Sequence, residues 1–80
     1  SQSNFNVYPN PATKEFFIQS NFNETISVQI NSVDGKLMST FSNYPPNNWI
    51  KVDAEVYSAG LYFVTLSSQN QTQTKKVIIQ

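Results

Sequence analysis

Cysteine, histidine and arginine are all missing from these 80 residues. Without cysteine no disulfide can staple the fold. Without cysteine and histidine, zinc sites built from thiolate and imidazole ligands are excluded, and so are Ser-His and Cys-His nucleophile pairs. Without arginine there is no bidentate clamp for phosphate or carboxylate. The five cations are all lysines, Lys14, Lys36, Lys51, Lys75 and Lys76, and five acidic residues balance them. A neutral chain lacks the electrostatic footprint of a nucleic-acid binder. Long hydrophobic runs are absent as well, and no signal-peptide pattern is present. Direct membrane insertion is therefore not expected, and an exported protein of this kind is expected to carry its export signal upstream of Ser1. Nothing in the composition calls for a cofactor.

What is present reads as one small β domain. A chain of this length buries only about 60–65% of the surface it exposes when unfolded, so a stability of about 4–12 kcal/mol is expected. The polar residues are mostly Asn, Gln, Ser and Thr, which keep a surface soluble without strong charge. Ser1 to Asn4 reads as the end of a linker, and residues 5–80 as the domain. Apolar residues then recur with a period of two. Phe5 and Val7 alternate with polar neighbours up to Tyr8. Phe16 and Ile18 alternate with Phe17 and Gln19. Ile26, Val28 and Ile30 alternate with Ser27, Gln29 and Asn31. Val33-Asp34-Gly35-Lys36 is a hairpin signal, because Asp-Gly suits a tight turn with positive φ, and Leu37 to Phe41 is the return strand. Ser42 to Asn48 is a proline-containing loop. Trp49 to Val52 is a short strand, Asp53 to Gly60 a connection anchored by Val56, Leu61 to Leu66 a strand apolar on both faces, which suits a central strand covered on both sides, and Thr74 to Ile79 the final strand. No window has helical periodicity. About seven short strands with regular turn signals predict an Ig-like antiparallel β-sandwich. Its expected core is Val7, Ile18, Ile26, Val28, Ile30, Val33, Leu37, Ile50, Val52, Val56, Tyr62, Val64, Leu66, Val77 and Ile79. The spacing Gly60-x-Tyr62 fits a tyrosine corner, in which the hydroxyl returns to the backbone of the preceding connection.

Few residues offer themselves for function. The chain closes on an apolar strand preceded by two lysines, which points to its C-terminal segment as a functional element. Lys75 and Lys76 have two readings. Lysines discourage edge-to-edge pairing on an exposed strand, or the strand is offered to another protein, for instance by strand addition; the two are compatible. Pro9-Asn10-Pro11 is a recognition turn or, more simply, a rigid turn fixing the first strand against the second. Trp49, Tyr44 and Tyr57, with Asn47, Asn48 and Asp53 nearby, have the chemistry of a sugar platform. The simpler reading, in which Trp49 caps the core and Tyr44 braces the proline loop, is preferred. Asp34 belongs to its turn, and Asp53, Glu55 and Glu24 make neither a calcium loop nor a paired-carboxylate cleft. No enzyme is expected.

The landmarks together resemble the type A C-terminal sorting domain of the type IX (Por) secretion system. They run in order from Val7-Tyr8-Pro9-Asn10-Pro11-Ala12-Thr13 through Ile26-Ser27-Val28-Gln29-Ile30, Val33-Asp34-Gly35-Lys36-Leu37 and Ile50-Lys51-Val52. Ala59-Gly60-Leu61-Tyr62-Phe63-Val64 and Thr74-Lys75-Lys76-Val77-Ile78-Ile79 complete the set. Gln80 departs from the basic residue with which many members finish. The resemblance implies a non-catalytic signal that directs an upstream cargo domain from the periplasm through the outer-membrane translocon. It implies hand-over to an outer-membrane shuttle protein and removal by a surface sortase, leaving the cargo at the cell surface or outside the cell. It places partner recognition on Lys75, Lys76, Val77, Ile78, Ile79 and Gln80, with Pro9, Asn10, Pro11, Asp34, Gly35, Gly60 and Tyr62 as structural motif residues. The competing reading is a carbohydrate-binding or adhesive module using Trp49, Tyr44 and Asn48.

Overall fold

The structure of the chain, a computed structural model, describes residues 4–80. Of the expected linker, Ser1 to Ser3 lie outside the described residues. Asn4 is already bonded into the fold: its N–H donates to the Asn21 side chain at 2.6 Å and its carbonyl accepts from Asn21 N–H at 3.1 Å. Seven strands follow: β1 (Phe5–Tyr8), β2 (Glu15–Ser20), β3 (Ile26–Ser32), β4 (Leu37–Tyr44), β5 (Trp49–Asp53), β6 (Gly60–Ser67) and β7 (Thr72–Ile79). A single 3₁₀ turn, Ala54–Val56, sits between β5 and β6. The strands form a three-stranded sheet, β1-β2-β5, and a four-stranded sheet, β4-β3-β6-β7, antiparallel throughout. This is the all-β, Ig-like sandwich that the alternating pattern predicts.

The inner faces supply the core. Phe5, Phe16, Ile18, Ile50 and Val52 come from the smaller sheet, and Ile26, Val28, Ile30, Tyr62, Val64, Leu66, Val77 and Ile79 from the larger. Val7 is half-buried and packs on the same cluster. Phe5, Ala12, Phe16, Phe22, Ala54 and Tyr57 are also buried, although the expected core omits them.

Three expected core residues are instead exposed, each for a local reason. Val33 lies at the tip of the β3–β4 hairpin, 66% exposed. Leu37 follows a one-residue shift of register between Ile30 and Asn31, which leaves it opposite Asn31, an outward-facing position. A slip of one residue moves a side chain to the other face of a sheet, so Leu37 is half exposed. Val56 ends the 3₁₀ turn, where residues three apart share a side. Ala54 and Tyr57 therefore point inward, and Val56 is turned out at 73% exposure. Tyr57, not Val56, anchors the connection. Its hydroxyl donates to Ser39 Oγ at 2.5 Å and its ring meets Tyr62 edge-on, with centroids 5.2 Å apart. Burial pushes the Tyr57 phenol up from its ordinary pKa, against the opposing effect of the Ser39 bond.

The turns use their special residues as the pattern suggests. At the tip of the β3–β4 hairpin, between Ser32 and Leu37, Gly35 alone adopts positive φ, +91°, and its N–H donates to Ser32 C=O at 2.9 Å. Asp34 accepts from the Ser32 hydroxyl, and this bond is the main reason that its carboxyl sits below the usual carboxylate range. At the start of β6, Gly60 has φ +154°, and two residues later the Tyr62 hydroxyl donates to Ser58 C=O at 2.7 Å. This is the geometry of a tyrosine corner.

Burial sets the expected mutational contrast. Phe16→Ala should cost about 3–5 kcal/mol, a large share of a total of about 4–12 kcal/mol. Val56→Ala should stay within about 0.5 kcal/mol. Urea denaturation of the two variants beside the parent chain measures both.

Candidate functional site

Strand β7 has two distinct faces because successive side chains alternate across a sheet. Val77 and Ile79 point inward and are buried. Lys75 lies on the same side at the rim of the core, half-buried, with Nζ 5.5 Å above the centroid of the buried Phe5 ring. An inward-pointing charge of this kind keeps a strand from pairing with strangers, and the ring face favours the cation. Lys76, Ile78 and Gln80 point outward and are exposed, Ile78 at 46%. The two lysines therefore do not act as a pair. One lids the core and the other faces solvent.

The long sides of β7 also differ. One pairs with β6 along the whole strand, from Ser67 opposite Thr72 to Gly60 opposite Ile79. The other is partly closed by the segment between β1 and β2. The Asn10 side chain donates to Lys76 C=O at 3.0 Å and accepts from Ile78 N–H at 2.9 Å. Ala12 N–H donates to Ile78 C=O, and Ala12 C=O accepts from Gln80 N–H, both at 2.8 Å. The Asn10 amide thus takes the place of a peptide group in a ladder that Ala12 continues as a short parallel bridge. The peptide bonds Tyr8–Pro9 and Asn10–Pro11 are both cis. Pro9 and Pro11 carry no N–H, so this segment cannot extend the sheet further. The rigid turn expected to fix β1 against β2 is therefore also a clamp on the last strand.

The clamp narrows what β7 can offer. Lys76 C=O, both outward backbone groups of Ile78 and Gln80 N–H are used on residues 10–12. By the same two-residue period, Thr72 and Thr74 direct theirs away from β6. The order of strands places nothing beside them among the described residues. Strand addition is thus restricted to the Thr72–Thr74 end and closed at the tail. What the tail presents instead is a side-chain surface. Ile78 lies opposite Leu61 and Lys76 opposite Phe63, and Leu61 and Phe63 are only half-buried. The expectation that β6 is covered on both faces fails here: its outer face joins Ile78 in an apolar strip with the Lys76 ammonium beside it. Leu61 and Phe63 were legible as outward positions from their alternation with Tyr62 and Val64. Asn10 and Ala12 gave no comparable sign, because their partners lie more than 60 residues away.

The remaining candidates are scattered. Trp49 does not cap the core. It lies on the outer face of the smaller sheet, 58% exposed, because Ile50 and Val52 take the inner face of β5. Tyr44 belongs to β4 in the other sheet, half-buried and edge-on to Phe41. The Asn48 side chain is occupied by Trp49 N–H at 2.8 Å, and Tyr57 is in the core. These residues do not form one platform. Asp53 accepts Glu55 N–H at 3.0 Å and caps the 3₁₀ turn. Glu24 accepts from the Asn70 amide at 2.7 Å. Among the described residues no group of three acidic side chains is placed to hold a metal ion.

Removing the clamp should be measurable. Asn10→Ala deletes two hydrogen bonds at an exposed edge, and a loss of about 1–2 kcal/mol is expected by urea denaturation. Asn10→Asp keeps the acceptor for Ile78 N–H but loses the donor to Lys76 C=O, and should fall between the two.

The comparisons with known proteins point to one family. A family model described as secretion system C-terminal sorting domain matches residues 6–80. The match spans the clamp, the tyrosine corner and β7. No curated protein matches the chain.

Proposed function

The chain belongs to the family of type IX secretion-system C-terminal sorting domains, and on that premise we propose that the outward face of β7 is what the secretion machinery reads. Membership implies export of an upstream cargo to the cell surface or the extracellular space, by a domain family that is in general non-catalytic. The proposal concerns the means. The domain crosses the periplasm folded, is received by the outer-membrane translocon and its shuttle protein, and is then removed by a surface sortase.

The observation that carries this reading is the division of labour within the last strand. Val77 and Ile79 hold β7 in the core, Lys75 seals its rim, and residues 10–12 close its edge. Lys76 and Ile78 are left as side chains that a partner can touch without unfolding the domain. Beside Leu61 and Phe63 they form a small apolar strip with one cation, the composition of a contact site with an anchor and a charged rim. Among the described residues Lys76 has no acidic partner, and the one ion pair is Lys51 with Glu15, at 3.4 Å. A signal of this kind works behind any cargo, because its fold depends only on its own contacts.

The test is a reporter with a periplasmic signal, fused ahead of residues 1–80 in a type IX host. The parent domain should deliver the reporter to the surface or medium. Deletion of residues 75–80 should retain it in the periplasm. Ile78→Asp and Lys76→Glu should retain it as well while the purified domain keeps its melting temperature, since both side chains face solvent. Export of the deletion at the parent level would remove the role of the strand. Export of folded Ile78→Asp and Lys76→Glu at the parent level would remove the role of its outer face.

A further inference from the structure

The outer face of the smaller sheet carries three aromatic rings that the core does not use. Tyr8 and Phe17 are cross-strand neighbours, with centroids 5.9 Å apart. Trp49 lies 6.1 Å from Phe17 and 6.3 Å from Tyr8, edge-on to the latter. The cluster is open to solvent, and Trp49 is its most exposed member at 58%.

What borders the rings narrows the ligand. Gln19 stands directly opposite Trp49 on one side and Asn6 on the other, so Asn6, Gln19 and Trp49 form one row across the sheet. Two strand spacings make that row about 10 Å long. At the Asn6–Gln19 end it opens into a depression of about 290 Å³ lined by Asn4, Asn6, Gln19, Ser20 and Asn21. Every lining residue is a neutral amide or hydroxyl. The side chains of Asn6 and Gln19 make no hydrogen bond to another described residue. Two charged residues of this sheet, Lys51 and Glu15, pair with each other at 3.4 Å.

We propose that this face is a carbohydrate-binding site for a neutral oligosaccharide, with a pyranose ring against Trp49 and the next sugar's hydroxyls on Gln19 and Asn6. The chemistry of the row favours such a ligand over the others available. A pyranose has an apolar C–H face for an aromatic ring and hydroxyls that both donate and accept, matching side-chain amides. A phosphate or carboxylate ligand finds no cation among the residues of the row or of the depression. A purely apolar protein surface leaves the Asn6 and Gln19 amides unpaired on contact. The site lies on the sheet opposite β7 and does not rest on the sorting role.

The probes are three neutral hexasaccharides, from cellulose, xylan and mannan, with a polygalacturonate hexamer as the anionic comparison. Binding is followed by quenching of Trp49, the sole tryptophan, and by ¹⁵N-resolved NMR of the Asn6 and Gln19 side-chain amides. At least one neutral hexamer should give saturable quenching and shift both amides. By NMR, its affinity should fall at least tenfold, or about 1.4 kcal/mol, in Trp49→Ala and in Gln19→Ala. Tyr44→Ala, on the other sheet, should bind as the parent does. Absence of saturation with all three neutral hexamers would overturn the proposal. So would equal or tighter binding of the anionic hexamer, or full affinity in either site variant. Shifts at the patch that follow protein concentration alone would make it a contact between copies of the chain and would also overturn it.

Discussion

Four hydrogen bonds between residues 10–12 and the last strand close an edge that a small sandwich otherwise leaves open. The side chain of Asn10 supplies two of them, standing in for a peptide group, and the backbone of Ala12 supplies the others. An open strand edge is a template for unwanted pairing. Here that risk is met at the tail by a segment whose two prolines cannot pass the ladder on. The partners lie 66 and 68 residues apart in the chain, so the edge closes only when both ends of the fold are in place. A strand held in this way is presented by the folded domain and not by a partly folded one.

The same contacts explain how one short strand is held by the fold and still presents side chains to solvent. The core wants Val77 and Ile79, and the β-strand period then sends Lys76 and Ile78 outward without further instruction. Lys75 falls on the inward side but at the rim, half-buried, where its ammonium lies over the Phe5 ring. Nearby, Gly60 and Tyr62 fix the start of β6, the strand on which β7 lies, through the bond from the Tyr62 hydroxyl to Ser58. Burial and solvent exposure therefore divide the side chains of one strand between them.

Much of this was legible in the residues alone, and the failures have physical causes. Alternation in Ile26–Ile30 and in Tyr62–Leu66 reports directly which side is buried. So does the alternation about Ile50 and Val52, although the reading of Trp49 as a cap on the core did not extend that parity to it. Leu37 misled because a register shift is invisible in a single strand read without its partner. Val56 misled because a 3₁₀ turn follows a period of three, which handed the anchoring role to Tyr57. The clamp could not be read at all: nothing local in Pro9-Asn10-Pro11 names Lys76 and Ile78 as its partners. The end of the chain stood out in the residues as an apolar strand behind two lysines, but the split between its holding and its facing residues needed the sheet.

Native-state amide hydrogen exchange reaches the central claim, a last strand locked at both sides, most directly. If the clamp holds, the amides of Ile78 and Gln80, which face residues 10–12, exchange as slowly as that of Val28 in the middle of the larger sheet, through global opening alone. Exchange at Ile78 and Gln80 orders of magnitude faster than at Val28 would mean that the tail frays while the sandwich stays folded, and would contradict a signal presented as a fixed strand.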